Sequence, residues 1–285
     1  MSADRIAQKT AGEKPEIGMV VPASPIGVFD SGVGGLTVLK EVIRQLPNED
    51  VIYLADTARV PYGGRQPEEI VKINEEILPY LIDQGAKLII VACGTSSAIA
   101  YPVLKDKYKV QMISMIEPGA RAAVAASRTG SIGLMATVGT VNSGAYQSAV
   151  GALKKDAKVT AVACPLFVPL IEGGFIDSDE TKKVVKDYLK PLLKENIDAL
   201  ILGCTHYPHL ARAIGEKAGL NVVLVDPAEA AVSDAKQILQ RAGTLKDKKL
   251  PPKYKYLVTG SVLQFQEVGS RLLGRPITHA KHVII

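Results

Sequence analysis

The sequence predicts an α/β protein built as two similar domains, each with a mostly parallel sheet flanked by helices, and a cleft between them. Three observations lead there. Short apolar runs recur at 26–29, 51–54, 88–92, 110–114, 131–135, 159–163, 199–203 and 221–225. They are continuous rather than alternating, the pattern of strands buried on both faces. Between many of them lie segments with helical spacing, such as Leu36, Leu39, Val42, Ile43 and Leu46, or Val184, Val185, Tyr188, Leu189, Leu192 and Leu193. Strands alternating with helices imply parallel pairing. The third observation is an internal repeat. Ile26-Gly-Val-Phe-Asp-Ser-Gly-Val-Gly35 and Ile132-Gly-Leu-Met-Ala-Thr-Val-Gly-Thr140 share a strand and a Gly-rich turn at an offset of 106 residues, Ile26 to Ile132. Two cysteine turns share a second pattern at an offset of 111 residues, Cys93 to Cys204. Such halves would face each other across a cleft lined by strand C-termini, where open α/β sheets place ligands.

Taken along the chain, residues 1–24 read as an N-terminal extension: they mix charges with small polar groups, and residues 1–14 hold no apolar stretch of a signal peptide. Pro79, inside the helical stretch 68–84, predicts a kink or an early end. Asp177 followed by Glu180 reads as a capping-box start for a helix through Lys194. Asp226, Pro227, Glu229 and Gly243 read as N-cap, N1 proline, N3 acid and C-terminal glycine of another.

Composition bounds the function. The chain has 285 residues, 47% of them hydrophobic and 22% charged, with a formal net charge of +5. That is an ordinary globular balance. Lys and Arg are scattered, Trp is absent and aromatics are 5%, so no nucleic-acid partner is expected. No stretch approaches the roughly 20 apolar residues of a membrane span, so no membrane association is expected either. Three cysteines, Cys93, Cys164 and Cys204, are too few and too odd for a disulfide scaffold, which points to a reducing, cytoplasmic setting.

The candidate chemistry lies at the strand ends. Lys87-Leu-Ile-Ile-Val-Ala-Cys93-Gly-Thr-Ser-Ser97 and Asp198-Ala-Leu-Ile-Leu-Gly-Cys204-Thr-His-Tyr-Pro208 would each set a sulfur at a helix N-terminus. Unpaired amides and the helix dipole there favour an anion, so such a cysteine can be a thiolate. His206 beside Cys204 can move protons near neutral pH. Asp30-Ser-Gly-Val-Gly-Gly35 forms a carboxylate or phosphate cradle; Thr37 stands where a dinucleotide loop needs its third glycine. Asp30 alone reads as an N-cap, but beside the cysteines it could accept a proton or orient an ammonium. Cys204, His206 and His209 match no common zinc spacing and no C-x-x-C exists, so no metal is expected. Cys164 reads as a small buried hydrophobe. Two cysteines of similar basicity on opposite faces of one substrate suit a proton taken from one face and returned to the other, racemisation without a cofactor.

These residues resemble those of the glutamate racemase family, in the cofactor-independent aspartate/glutamate racemase superfamily. The resemblance is carried by Phe29-Asp-Ser-Gly-Val-Gly-Gly35, Val60-Pro-Tyr-Gly63, Ala92-Cys-Gly-Thr95, Cys164-Pro-Leu-Phe-Val-Pro169 and Leu202-Gly-Cys-Thr-His-Tyr-Pro208, and runs on to Leu273-Gly-Arg-Pro276. It implies interconversion of L- and D-glutamate, supplying the D-isomer for peptidoglycan. Cys93 would act on the D-isomer and Cys204 on the L-isomer, assisted by Asp30 and His206. Ser31, Tyr62, Gly63, Gly94, Thr95 and Thr205, with Asp30 and His206, would hold the amino acid. It further implies a first domain of 25–116 plus 226–285, a second of 117–225, and a homodimer. Two positions depart from the family pattern: Gly94, where Asn is most common, and Pro227, where the usual motif has Ser. Gly94 keeps open a racemase of aspartate or another acidic amino acid. A non-catalytic carboxylate-binding protein would explain the cleft and the Asp30 loop, but not Cys204-Thr-His206.

Overall fold

The computed structural model describes residues 21–247 and 251–285. Most of the expected N-terminal extension, 1–24, lies outside the described residues. Ten strands form two sheets among those described: β1 (Ile26–Asp30), β2 (Val51–Ala55), β3 (Leu88–Val91), β4 (Gln111–Ile113), β5 (Ser131–Ala136), β6 (Lys158–Ala163), β7 (Ala199–Leu202), β8 (Val223–Val225), β9 (Tyr254–Val258) and β10 (Ala280–His282). The first sheet runs β10-β9-β2-β1-β3-β4 and the second β6-β5-β7-β8. Every pairing is parallel. The continuous apolar runs have their cause here, since β1, β2 and β3 are buried at every residue.

The repeat is a repeat of topology. The order β2-β1-β3-β4 is reproduced as β6-β5-β7-β8, so β1 and β5 are equivalent, as are β3 and β7. In each half the strand before the Gly-rich turn lies beside the strand before the cysteine turn. Register fixes the level: Phe29 pairs with Val91 and Met135 with Leu202, so each turn leaves its sheet next to its partner turn.

Helices cover the sheets largely as their spacing demands, with two differences. The helix Asp179–Leu193 is capped by Ser178, whose side chain accepts from the Thr181 amide at 3.1 Å. Asp177, expected as the cap, lies one residue too early and instead pairs with Arg212. The helix Pro67–Asp83 carries Pro79 without ending there. Asp226 is an N-cap as expected: its Oδ1 accepts from the Ala228 amide at 2.9 Å, with Pro227 opening the helix Pro227–Arg241. That helix packs against Leu36–Gln45 beside the first sheet and Ile116–Ala126 beside the second.

One hydrophobic core joins the sheets, running from Val28, Tyr53 and Leu88 to Met135, Leu200 and Leu202. At the N-terminal edge of the first sheet, Lys87 is buried against Glu49 at 2.6 Å. It also donates to the carbonyls of Pro22 at 2.9 Å and Thr244 at 2.7 Å. Burial lowers its affinity for a proton, and these three oxygen contacts at the edge hold it in place. No helix among the described residues is long and apolar enough to cross a membrane.

Candidate active site

The C-terminal ends of β1, β3, β5, β6 and β7 converge on one cavity of about 320 Å3. Parallel strands deliver it: each ends at the same level, and the turns beyond are what remain to line a cleft. Cys93 directly follows β3 and Ala92, and is the N-cap of the short helix Gly94–Ile99. Cys204 follows β7 and Gly203. Here a tight turn through Thr205 and His206 precedes the 3-10 turn Tyr207–Leu210, so this sulfur is not at the first turn of an α-helix. Both cysteines line the cavity while only 5% and 7% exposed.

Their surroundings differ. The Cys93 sulfur has the Ser31 hydroxyl at 3.9 Å. Burial first and the charge of Asp30 second push the Cys93 thiol up to about 12, the amide of Ser96 offsetting them only in part. Desolvation therefore outweighs the helix end, and the resting group is a thiol rather than the thiolate expected from the turn. The Cys204 sulfur has His206 Nδ1 at 3.8 Å, and His206 Nε2 lies 2.9 Å from Glu172 Oε1. Burial alone would strip the proton from His206. The Cys204 sulfur, Glu172 and Asp30 together outweigh it and raise the imidazole to about 10. At neutral pH it is an imidazolium between a sulfur and a carboxylate.

Asp30 ends β1 just behind the cavity, 1% exposed. It caps its own loop rather than a helix: Oδ1 accepts from the Gly32 amide at 3.0 Å, and Oδ2 from the Thr205 hydroxyl at 3.2 Å. Its carboxyl titrates above the usual range because burial outweighs the attraction of His206 and these donors. One carboxylate therefore reaches the Cys204 turn through Thr205 and is felt at Cys93 through space.

The remaining residues expected in the site also line the cavity: Ser31, Tyr62, Gly63, Gly94, Thr95 and Thr205. The Tyr62 hydroxyl is already committed, donating to Asp56. Asp56 is held in turn by Arg59 at 2.7 Å and by the Thr259 hydroxyl at 2.7 Å. The peptide Val60-Pro61 is cis, at the mouth of this loop.

Three residues escaped the sequence reasoning or were read otherwise. Thr137 caps the helix Val138–Ser143, and its hydroxyl lies 3.0 Å from that of Thr95. The repeat signals it, since an offset of 106 residues carries Ser31 onto Thr137. Glu172, at the end of the helix Phe167–Glu172, has no such signal. Cys164, read as a buried hydrophobe, is fully buried yet lines the cavity, with Sγ 3.5 Å from the Val162 carbonyl. Burial raises its thiol and the nearby Cys204 adds to the shift. Among the described residues no group of three or more His, Cys, Asp or Glu side chains is arranged to hold a metal ion. Acid, base and backbone donors gathered around one small enclosed space can move a proton at carbon beside a carboxylate.

Known proteins resemble this chain over most of its length. Residues 26–235 match the family described as Asp/Glu/Hydantoin racemase. A glutamate racemase of Syntrophus aciditrophicus is 42% identical over 259 residues, covering 91% of this chain and 96% of the relative. One from Desulforudis audaxviator is 46% identical over 262 residues, covering 89% and 96%. The crystal structure of a glutamate racemase from Bacillus anthracis superposes with a TM-score of 0.88 at 41% identity, over 92% of this chain and 98% of that one. The glutamate racemase of Francisella tularensis, solved with D-glutamate, gives 0.86 at 37% identity, over 93% and 98%. The chain belongs to the Asp/Glu/hydantoin racemase family and is an amino-acid racemase whose near-full-length relatives are glutamate racemases.

Proposed function

We propose that the chain interconverts L- and D-glutamate without a cofactor, using Cys93 and Cys204 as the two acid–base groups. One observation carries the reading: two buried cysteines line one cavity, with an imidazolium beside one and a carboxylate near the other. For L-glutamate, a thiolate at Cys204 takes the α-proton, with His206 as its counter-ion. The electron pair passes into the carboxylate, and the Cys93 S–H returns a proton to the opposite face. For D-glutamate the roles exchange. The α-ammonium, set near Asp30, offsets the carboxylate charge that adds to burial in keeping Cys93 protonated. Hydroxyls of Ser31, Thr95 and Thr205 with the amide of Gly94 meet the carboxylates. Tyr62 and Gly63 shape the wall.

In this reading the domains are 25–116 with 226–285, and 117–225, and their sheets part to admit substrate. The enzyme works in the cytoplasm as a homodimer and supplies D-glutamate for peptidoglycan. Incubating each enantiomer of glutamate in deuterated water tests the chemistry. Deuterium is expected at Cα of the inverted product with no added cofactor; tight binding without exchange would leave a binding protein, and exchange with aspartate alone would move the substrate.

A further inference from the structure

Asn74 puts an amide where an apolar side chain would pack. It lies on the buried stripe of the helix Pro67–Asp83, among Ile70, Ile73, Ile77 and Leu78, and is 1% exposed. An amide buried there is costly unless its hydrogens are used. Both are: Nδ2 donates to the Ile70 carbonyl at 2.7 Å and to the Ser96 hydroxyl oxygen at 3.1 Å. The first bond settles the second. A carbonyl only accepts, so the nitrogen end of the amide must face Ile70, and Ser96 must accept from it. The Ser96 O–H is left to point elsewhere, and among the described residues no carbonyl or carboxylate takes it. What remains beside it is sulfur. Cys93 is the N-cap of the helix Gly94–Ile99, and Ser96 is its third residue, the position whose donors face back to the cap side chain. The resting thiol is a poor acceptor and closes no cap bond. Its anion is a better one, and the Ser96 amide and hydroxyl both favour that anion. Ser96 is fully buried, and neither it nor Asn74 lines the cavity, so the pair lies behind the sulfur and away from substrate.

We propose that Asn74 and Ser96 form a donor relay to Cys93, in which Asn74 is a positioning residue that keeps the Ser96 O–H aimed at the sulfur whenever Cys93 is a thiolate. The inference rests on the two-cysteine reading. In that reading Cys93 becomes a thiolate when its S–H proton goes to Cα, and it starts as one when it takes the α-proton of the D-isomer. Ser96 lends a hydrogen bond in both cases and keeps its own proton. Cys204 has an imidazolium for this purpose. The relay is the counterpart at Cys93, which has no cation among its partners.

The test measures kcat, KM and the α-deuterium isotope effect in both directions, on the amino acid that the wild type racemises. Losing one donor to a buried thiolate is expected to lower kcat about 10-fold in Ser96→Ala, with KM moving less than about 3-fold. Asn74→Leu is expected to lose about 3-fold, because the hydroxyl it releases can still reach the sulfur part of the time. The double variant is expected to be no slower than Ser96→Ala, since Asn74 acts only through Ser96. The isotope effect is the sharper readout. A weakened Cys93 thiolate makes its own proton step more rate-limiting, so the effect grows from the D-isomer and shrinks from the L-isomer. Ser97→Ala is the control. That hydroxyl is as buried, but it donates to the Val91 carbonyl at 2.7 Å and accepts from the Met115 amide at 3.0 Å, so both isotope effects are expected to stay at their wild-type values. Wild-type kinetics in Ser96→Ala overturn the proposal. So do additive losses in the double variant, equal changes of the isotope effect in the two directions, or the same changes in Ser97→Ala. If Asn74→Leu does not fold, Asn74→Ala replaces it; failure of both to fold overturns the relay and makes Asn74 a part of the core. Full activity in Cys93→Ala, or no exchange by the wild type with any amino acid, would instead sink the two-cysteine reading.

Discussion

Cys93 and Cys204 are buried to nearly the same degree, yet their side-chain partners make them unequal: neutral serine hydroxyls for one, an imidazole for the other. Cys93→Ala and Cys204→Ala are each expected to lower racemisation by at least about 1000-fold, the upper range of one acid–base group. Cys164→Ala should keep most activity, because its sulfur bonds to the Val162 carbonyl and has neither an imidazole nor a carboxylate as partner; equal losses in all three would contradict the assignment. His206 carries a pH signature. Its folded value of about 10 lies above the ordinary 6.5, so its bonds to Glu172 and Cys204 stabilise the fold fully below pH 6.5. That contribution is lost as pH rises toward 10. Between pH 7 and 10 the Tm of the wild type should therefore fall more steeply than that of His206→Gln, by about 2–4 °C for each kcal/mol lost. Parallel curves in a thermal melt would show that His206 is not protonated in the fold.

At the scale of elements, the imidazole depends on a helix from the other half. Arg271, exposed on the helix Val262–Leu273, donates to the carbonyl of Glu172, whose carboxylate meets His206. Arg271 also lies beside Gly174, which has φ +83°. It fastens the 172–174 loop across the seam. A charged hydrogen bond is worth about 1.5–3 kcal/mol when shielded and less on an exposed arginine, so Arg271→Ala should lower kcat about 3- to 10-fold, with partial rescue by lysine. Unchanged steady-state kinetics would remove Arg271 from the positioning of His206. Elements were legible in the sequence where apolar residues run without a break. β1, β2, β3, β5 and β7 do so because they are buried along nearly their whole length, and β4, β6 and β8 do so although each begins exposed, whereas Lys255 interrupts β9, and β10 is three residues with no apolar run. The site was legible wherever a residue sits at a strand end inside a motif or its repeat. Glu172 was not, because its role arises only when a loop returns over the Cys204 turn, and the cap at Ser178 was missed because Asp and Ser compete one residue apart.

For the whole molecule, two sheets of similar topology do not make two independent folding units. Chains near this length commonly divide their cores. Here one apolar cluster runs from Val28 and Leu88 to Leu200 and Leu202, so neither sheet can unfold without exposing the flank of the other. The helix Pro227–Arg241 adds a covalent reason, since it follows β8 of the second sheet yet packs on helices of both. The chain then returns to finish the first sheet with β9 and β10, and Lys87 ties Pro22 and Thr244 to the same edge. Separate melting would have to break these contacts before any gain in chain entropy from the second half. A single calorimetric transition is therefore expected, with calorimetric and van't Hoff enthalpies in a ratio near one. Saturating glutamate should move that one peak upward intact, by about 2.7 kcal/mol of stabilisation at 100 times Kd, because the ligand would bridge both sheets. Two resolved peaks, or a shift of one half alone, would mean that the shared core is too weak to couple them and that the cleft opens by independent domains.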